Sequence, residues 1–204
     1  MDAVTPRRVP DRFEALFARD PDPWGTRTRW YEARKRHVLM AALPHERYAR
    51  AYEPGCGNGE LTAALAARCD EVAASDASPA ALDHARRRLC AWPNARLCRL
   101  VTPAEWPDGA FDLVVVSELG YYLEEPDLRE LARRCARSLA ASGVVAACHW
   151  RHSASDFLRG GDAVHRLLAL HLGLPCAVRH VERDFVLDVW CRDTASVAQR
   201  EGLA

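Results

Sequence analysis

The sequence predicts an α/β protein: a single domain built on a doubly wound, mostly parallel sheet of seven strands that ends in an antiparallel hairpin. Two observations carry this prediction. From about residue 49, short β-rich runs alternate with helical patterns, the order typical of βαβ units and parallel strands. Near the C-terminus, the β-rich runs 176–181 and 185–191 are separated by only three residues, which fits a hairpin.

Two helices are predicted before the alternation begins. Residues 12–19 have apolar side chains at helical spacing, and the turn-forming sequence DPDPWG follows them. Residues 29–43 form the second helical pattern, which Pro44 stops. The candidate inward-facing residues of this helix are Trp30, Tyr31, Val38 and Leu39. We therefore assign residues 1–46 to a helical cap, and residues 47–204 to the sheet domain.

The alternating part predicts five strands and four helices before the hairpin. The strands are residues 49–53, 71–76, 95–101, 111–117 and 144–149. The helices are residues 59–67, a helix that begins at 78–79, 127–139 and 161–172. Residues 111–117 are nearly continuously apolar, as expected for a central parallel strand that is covered on both faces. Ser78 and Pro79 suit the N-cap and first position of a helix.

The composition narrows the class of protein. Lys plus Arg and Asp plus Glu each number 28, so no basic excess indicates a nucleic-acid-binding protein. None of the eight cysteines is spaced as C-x-x-C, and no Cys/His cluster indicates a metal site. The chain shows neither a signal-peptide pattern nor an apolar run long enough to span a membrane. We expect a cytoplasmic protein with no membrane, nucleic-acid or metal partner, whose oligomeric state stays open.

The segment Glu53-Pro-Gly-Cys-Gly-Asn-Gly59 predicts a ligand site, because it follows a strand and opens a helix. Gly55 and Gly57 allow a tight turn and let a ligand lie against the backbone. Asp76 ends the next predicted strand, 23 residues after Glu53. A carboxylate at that place reaches the hydroxyls of a bound ribose.

The glycine spacing disfavours a dinucleotide. It is G-x-G-x-G, where a nicotinamide dehydrogenase shows G-x-G-x-x-G. Glu53 would also repel a pyrophosphate, whereas it suits a ligand that carries an ammonium group. S-adenosylmethionine (SAM), an adenosine with a sulfonium and an amino-acid tail, is such a ligand.

These residues resemble a known family. The segments EPGCGNGEL and ASDAS are similar to the first motif and the ribose-binding loop of the Rossmann-like, class I SAM-dependent methyltransferases. The segments DPWG, WYEARKR, SELGYYL and GDAVHRLL more narrowly resemble the NodS-like group, whose namesake N-methylates an amino sugar. The resemblance implies SAM as cofactor and a small-molecule methyl acceptor.

The resemblance also implies residue roles. The residues of the SAM turn and its ribose contact would be Gly55, Cys56, Gly57, Asn58, Asp76 and the adjacent Ala77. A flap that closes over the cofactor would contain Trp24, Tyr31 and Arg34. The family's usual acidic residue at the end of the third strand is missing, so Val101 and Thr102 would contact the adenine through backbone amides or apolar stacking.

The candidate catalytic residues follow the fourth and fifth strands. Ser117 would end the fourth strand beside the cofactor, and Glu118 and Tyr121 would face the transferred methyl. His149 ends the fifth strand, where it would either accept a proton from the acceptor or bond to backbone. His165 would line the acceptor pocket or pack in the fold.

The function favoured by the sequence is N-methylation of an amino sugar or related amine. Two alternatives stay open at this point. One is a small-molecule O-methyltransferase of natural-product biosynthesis, and the other is a SAM-binding protein that lacks turnover and acts through a partner. No metal is required in any of these cases, because the sulfonium already activates the methyl group.

Overall fold

The computed structural model describes residues 8–204, and it contains one seven-stranded sheet. The strands are β1 Tyr48–Pro54, β2 Cys69–Asp76, β3 Ala95–Arg99, β4 Phe111–Ser117, β5 Leu139–Trp150, β6 Cys176–Val181 and β7 Phe185–Cys191. Their order across the sheet is β3-β2-β1-β4-β5-β7-β6. The first five strands in this order are parallel, and β7 and β6 are antiparallel to their neighbours. The predicted fold class and the C-terminal hairpin are confirmed.

Within residues 8–204, seven helices surround the sheet. They are α1 Arg8–Arg19, α2 Trp30–Ala42, α3 Glu60–Ala66, α4 Pro79–Arg88, α5 Glu125–Ser138, α6 Gly161–Leu172 and α7 Val197–Arg200. A single 3-10 turn, Gly120–Tyr122, lies between β4 and α5. Among these residues, no helix combines the length and the apolar character needed to cross a membrane.

The sheet has a topological switch point between β1 and β4. From β1 the chain moves outward to β2 and β3, and it then returns to β4 on the other side of β1. The crossover connections therefore diverge at the carboxyl ends of β1 and β4, and they leave a crevice between them. Ligands of doubly wound sheets bind in this crevice.

Several strand boundaries differ from the sequence prediction by one to five residues, and two of the differences have a clear physical cause. β3 ends at Arg99 rather than at residue 101, because the chain turns there and the N–H of Val101 donates to the Glu105 carboxylate at 2.7 Å. β5 begins at Leu139, which lies opposite Phe111 of β4, although Ser142 and Gly143 predicted a loop. A register shift between Phe111 and Leu113 takes up these residues, so tertiary pairing overrides their turn preference.

The second helix of the predicted cap belongs to the core. Leu39 of α2 and Leu43 after it pack against buried residues of the sheet. Trp30 was expected to face inward, and this expectation is wrong, because its side chain is 73% exposed. The inward stripe of α2 runs through Tyr31, Lys35 and Leu39, and Trp30 lies about 100° around the helix from Tyr31.

Candidate active site

A cavity of about 1380 Å³ lies at the carboxyl ends of β1, β2 and β4. Residues of α1 and of the turn that follows it cover one side of this cavity. Pockets that hold one drug-sized ligand measure roughly 300–1,000 Å³. The cavity therefore has room for two small molecules beside each other.

Fourteen of the sixteen predicted site residues line this cavity. They are Trp24, Tyr31, Glu53, Gly55, Cys56, Gly57, Asn58, Asp76, Ala77, Val101, Thr102, Ser117, Glu118 and Tyr121. The other two, Arg34 and His149, do not line it. Within residues 8–204, no group of three or more His, Cys, Asp or Glu side chains is arranged to hold a metal ion.

The glycine turn between β1 and α3 depends on backbone conformations that L side chains rarely adopt. Gly57 has φ +55°, and its missing side chain leaves the floor of the cavity open. Gly59 has φ +82°, and a Cβ there would come within 3.2 Å of the backbone of Ala85 in α4. The third glycine of the motif therefore brings two helices into contact.

Asp76 braces the glycine turn at the end of β2. One carboxylate oxygen accepts the N–H of Gly57, and the other accepts the N–H of Ser78, each at 2.9 Å. Burial raises the pKa of this carboxyl, and the backbone N–H bonds oppose that rise. A carboxylate has about four acceptor positions, so Asp76 keeps acceptor capacity beyond these two bonds. Asp76 can thus accept hydrogen bonds from a pair of neighbouring hydroxyls.

Glu53 is the second acidic residue beside the turn, and only 3% of its surface is exposed. The hydroxyl of Thr62 donates to its carboxyl at 2.6 Å. Burial raises the pKa of Glu53 to about 8, and the nearby charge of Asp76 acts in the same direction. In the absence of a cationic ligand, Glu53 is therefore mainly neutral at pH 7.

The turn after α1 is fastened to the glycine turn through Asn58. The side-chain amide of Asn58 donates to the carbonyl of Pro21 and the carboxylate of Asp22, at 3.2 and 3.1 Å. It also contacts the Thr26 hydroxyl at 2.9 Å. Trp24 extends from this turn into the cavity wall, and its ring packs edge-on against Phe17 of α1. Asn58 therefore links the cover of the cavity to its floor.

Arg34 was expected to belong to a flap over the cofactor, but its side chain does not line the cavity. Both terminal nitrogens of its guanidinium donate to the Glu182 carboxylate at 2.7 Å. Glu182 lies in the turn between β6 and β7, away from the cavity. This bidentate pair ties α2 to the hairpin, and the pKa of Glu182 falls to about 2 because the guanidinium stabilises its charged form.

Lys35 is the main site residue that sequence reasoning missed. It lines the cavity with 5% of its surface exposed, and its ammonium contacts Glu118 at 2.8 Å and Glu32 at 3.0 Å. Burial alone would lower its pKa, but the two carboxylates reverse the effect and raise it. Lys35 is the only lysine in the chain and lies in the segment WYEARKR, and these two features were the available signals.

Glu118 occupies a strained backbone position directly after β4. Its φ is +55°, a value that is uncommon for a residue other than glycine and that often marks functional sites. One carboxylate oxygen contacts Lys35, and the other accepts the N–H of Trp150 at 3.4 Å. Burial raises the pKa of Glu118, and the charge of Lys35 opposes the rise. Glu118 thus presents a carboxylate of increased basicity to the cavity.

Aromatic side chains complete the wall beside Glu118. Tyr121 is buried and stacks on Phe157, with ring centroids 3.9 Å apart and planes inclined by 12°. The hydroxyl of Tyr31 is buried without a hydrogen-bond partner, and the Lys35 ammonium lies 5.1 Å from the centre of its ring. A buried hydroxyl usually has a partner, so Tyr31 is suited to bond a ligand.

His149 does not line the cavity, so the geometry disfavours the hypothesis that it is a general base. Its side chain is fully buried behind the loop, and its Nε2 accepts the backbone N–H of Gly120 at 3.0 Å. Burial holds the pKa of His149 well below its usual value, and the neighbouring His165 adds to the effect. The geometry matches the alternative, a strand-end histidine bonded to backbone. His165 is likewise buried and does not line the cavity.

Comparison with known proteins finds similarity to methyltransferases. A family model for the methyltransferase domain matches residues 51–143. A crystal structure of a protein assigned as a methyltransferase in Pseudomonas syringae is 46% identical, with TM-score 0.73, and the match covers 80% of this chain and all of that one. The crystal structure of the N-methyltransferase NodS from Bradyrhizobium japonicum, in complex with S-adenosylhomocysteine (SAH), has TM-score 0.78 at 23% identity and covers 89% and 96% of the two chains.

Two curated relatives match over shorter segments. Nodulation protein S of Rhizobium tropici is 34% identical over 127 residues, which are 60% of this chain and 52% of that protein. Trans-aconitate 2-methyltransferase of Methylobacterium radiotolerans is 38% identical over 124 residues, which are 58% and 45% of the two chains. The chain thus spans about half the length of these curated relatives. The fold, the glycine turn and the likeness to the Pseudomonas protein over 80% of this chain agree: the chain belongs to the class I SAM-dependent methyltransferases.

Proposed function

We propose that this protein transfers a methyl group from SAM to the amine nitrogen of a small-molecule acceptor. The observation that carries the proposal is one cavity in which the glycine turn, Asp76 and Glu53 lie at one part of the wall and Glu118 at another. The volume of this cavity is larger than that of pockets that hold one drug-sized ligand. SAM supplies an activated methyl group, and the protein has to bind, align and shield the reactants.

The residues around the glycine turn fit SAM. The free acceptor positions of Asp76 suit the two ribose hydroxyls, and Glu53 suits the ammonium of the amino-acid tail. Ala77, Val101 and Thr102 line the adjoining wall and would contact the adenine. The relative with a SAH complex, NodS, supports this assignment by its shared fold.

The charge of the cavity favours cationic ligands. Nine of its lining residues are acidic: Asp11, Glu32, Glu53, Glu60, Asp76, Glu118, Glu124, Asp127 and Asp156. Four are basic: Arg12, Arg29, Lys35 and Arg36. An acidic cavity attracts the sulfonium of SAM and an acceptor that arrives as an ammonium ion. The same field disfavours a carboxylate acceptor, the second candidate that the trans-aconitate relative suggests.

Glu118 is the proposed general base. An amine is protonated in water and must lose a proton before it attacks the methyl group. The carboxylate of Glu118 faces the cavity, and burial has raised its pKa toward the working range of a base. Tyr121 and the unpartnered hydroxyl of Tyr31 would orient the acceptor nitrogen.

The lid of the proposed site is α1 with the turn at residues 20–28. This segment covers the cavity and is held there by Asn58. The sequence-based cap of residues 1–46 also included α2, but α2 packs into the core and supplies Lys35. We therefore assign α2 to the catalytic domain.

Binding and turnover measurements test the proposal. We expect SAM and SAH to bind and NAD not to bind, and an acceptor screen led by amino sugars to yield methylated amines. Glu118→Gln keeps the shape and removes the base, so turnover should fall about 10²–10⁴-fold and recover partly at high pH, while SAH affinity stays. Glu130→Gln, which changes a carboxyl of α5 that pairs with Arg134 outside the cavity, is the control. NAD binding as tight as SAM binding, or full activity of Glu118→Gln, would contradict the proposal.

A further inference from the structure

Three buried polar side chains form a row behind the loop that carries Glu118. His149 at the end of β5 contacts His165 of α6, with 3.0 Å between Nδ1 and Nε2. Nδ1 of His165 lies 2.7 Å from a carboxylate oxygen of Asp188 in β7. All three are at most 2% exposed. The row begins at the Gly120 N–H, so it joins the loop to three elements of the fold.

The backbone N–H at one end of the row determines which ring nitrogen of each histidine carries a proton. An amide N–H only donates, so Nε2 of His149 must be an acceptor without a proton. Neutral His149 then carries its proton on Nδ1 and donates it to Nε2 of His165. His165 in turn carries its proton on Nδ1 and donates it to Asp188. Protonating either histidine would break one of these bonds.

A side chain at Gly120 would meet both Val164 of α6 and the first histidine of the row. A Cβ at this position would lie 2.4 Å from the side chain of Val164 and 3.1 Å from Nε2 of His149. Glu118 lies two residues before Gly120 and Tyr121 directly after it, and both line the cavity. A shift of Gly120 would therefore move the backbone that holds them.

At the far end of the row, the charge of Asp188 faces the guanidinium of Arg179. The second carboxylate oxygen of Asp188 is buried without a hydrogen-bond partner, and the guanidinium of Arg179 lies 3.8 Å from it. A fold that needed only packing at this place would be served by apolar side chains, since buried polar rows add little stability on balance. The row has a feature that packing does not require, namely one defined tautomer at each ring.

We infer that His149, His165 and Asp188 are positioning residues for methyl transfer. Asp188 selects the tautomer of His165, His165 selects that of His149, and His149 holds Gly120 so that Glu118 and Tyr121 keep their places. The kinetic part of this inference rests on the proposed function. The tautomers can be measured without any turnover, so the two can fail separately.

The first test is nitrogen-15 NMR of the histidine rings of the wild-type protein. We expect His149 and His165 each to show a protonated Nδ1 and an unprotonated Nε2 between pH 6 and 8, whether or not SAH is bound. A protonated Nε2 on either ring would overturn the inference. This result does not depend on the identity of the acceptor.

The second test is Asp188→Asn, which keeps the shape and removes the acceptor charge. If the new amide donates to His165, both rings must change tautomer and the Gly120 bond is lost. We expect kcat to fall about tenfold, the order expected for one hydrogen bond, with SAH affinity unchanged. Asp184→Asn is the matched control, because Asp184 forms an exposed pair with His152 at 2.7 Å.

A double variant separates positioning from packing. His149→Gln offers an amide oxygen to the Gly120 N–H without a tautomer, so adding Asp188→Asn to it should not lower kcat further. Equal losses from Asp188→Asn in both backgrounds, or the same loss from Asp184→Asn, would overturn the inference. If Asp188→Asn does not fold, the wild-type tautomers still decide the question.

Discussion

The buried carboxyl of Glu53 predicts that the protein releases a proton when SAM or SAH binds. The proposed function alone does not require this release. The carboxyl of Glu53 is buried beside the glycine turn and is mainly neutral at pH 7, because burial raises its pKa to about 8. If the ammonium of SAM or SAH binds next to it, the ionised form is stabilised. Binding should therefore release the proton of Glu53 into solution.

The magnitude follows from the pKa. At pH 7, a group with a pKa of about 8 is about nine-tenths neutral, so SAH binding should release about 0.9 proton for each site. Ionising the carboxyl at pH 7 costs about 1.4 kcal/mol, one pKa unit. The ionised fraction rises about fivefold from pH 7 to pH 8, and the affinity for SAH should rise by the same factor.

Rising pH should increase the affinity for SAH, but it should lower the stability of the ligand-free protein. The pKa of Glu53 is raised on folding from a value of 4.5, so the folded state holds the proton more tightly than the unfolded chain. Its contribution to stability is complete below pH 4.5, and it is lost as pH rises through about 8. Bound SAH should reduce this loss.

Titration calorimetry measures the released protons. SAH is titrated at pH 7 in buffers of different ionisation enthalpy, and the slope of observed heat against that enthalpy gives the number of protons. Glu53→Gln should release almost none, whereas Glu71→Gln, which changes a β2 carboxyl paired with Arg50 outside the cavity, should match the wild type. No release from the wild type, or undiminished release from Glu53→Gln, would refute this assignment.

Two further variants test the walls of the cavity. Asp76→Asn should weaken SAH binding by about 1.5–3 kcal/mol, since it removes the charged acceptor from both ribose hydroxyls; an unchanged dissociation constant would remove Asp76 from the ribose site. Lys35→Met leaves Glu118 beside Glu32 without their shared cation, which raises the pKa of Glu118. The pH-rate profile should then move to higher pH, and an unmoved profile would show that Lys35 does not set the charge of Glu118.

The sequence predicted the sheet well because its signals are local. The central strand β4 is a nearly continuous apolar run, and the alternation of strands with helices leaves few possible connections. The positions of the glycine turn and Asp76 could also be predicted from the sequence. Both lie at strand ends, and the place of a strand end in the sheet is known once the strands are assigned. The boundary of β5 was missed because its first residues pair through a register shift that has no local pattern.

The side-chain partners could not be predicted, because they come from distant segments. Arg34 pairs with Glu182, 148 residues later, and this pair turns Arg34 away from the cavity. His149 stands at the expected edge of the sheet, but its ring points to His165 and to the Gly120 N–H rather than to the ligand. Position along a strand predicts the edge where a side chain lies, and it does not predict what the side chain contacts.

The loop after β4 connects these observations, because it is held from two sides. Glu118 has a backbone conformation that costs of order 1–3 kcal/mol, so neighbouring contacts must keep it there. From α2, Lys35 holds its carboxylate, and from β5, His149 holds the backbone two residues later. Removing residues 1–46 would thus remove one of the two supports together with core residues such as Leu39. A truncation that tests the lid should therefore end before residue 29, where α2 and its lysine remain in place.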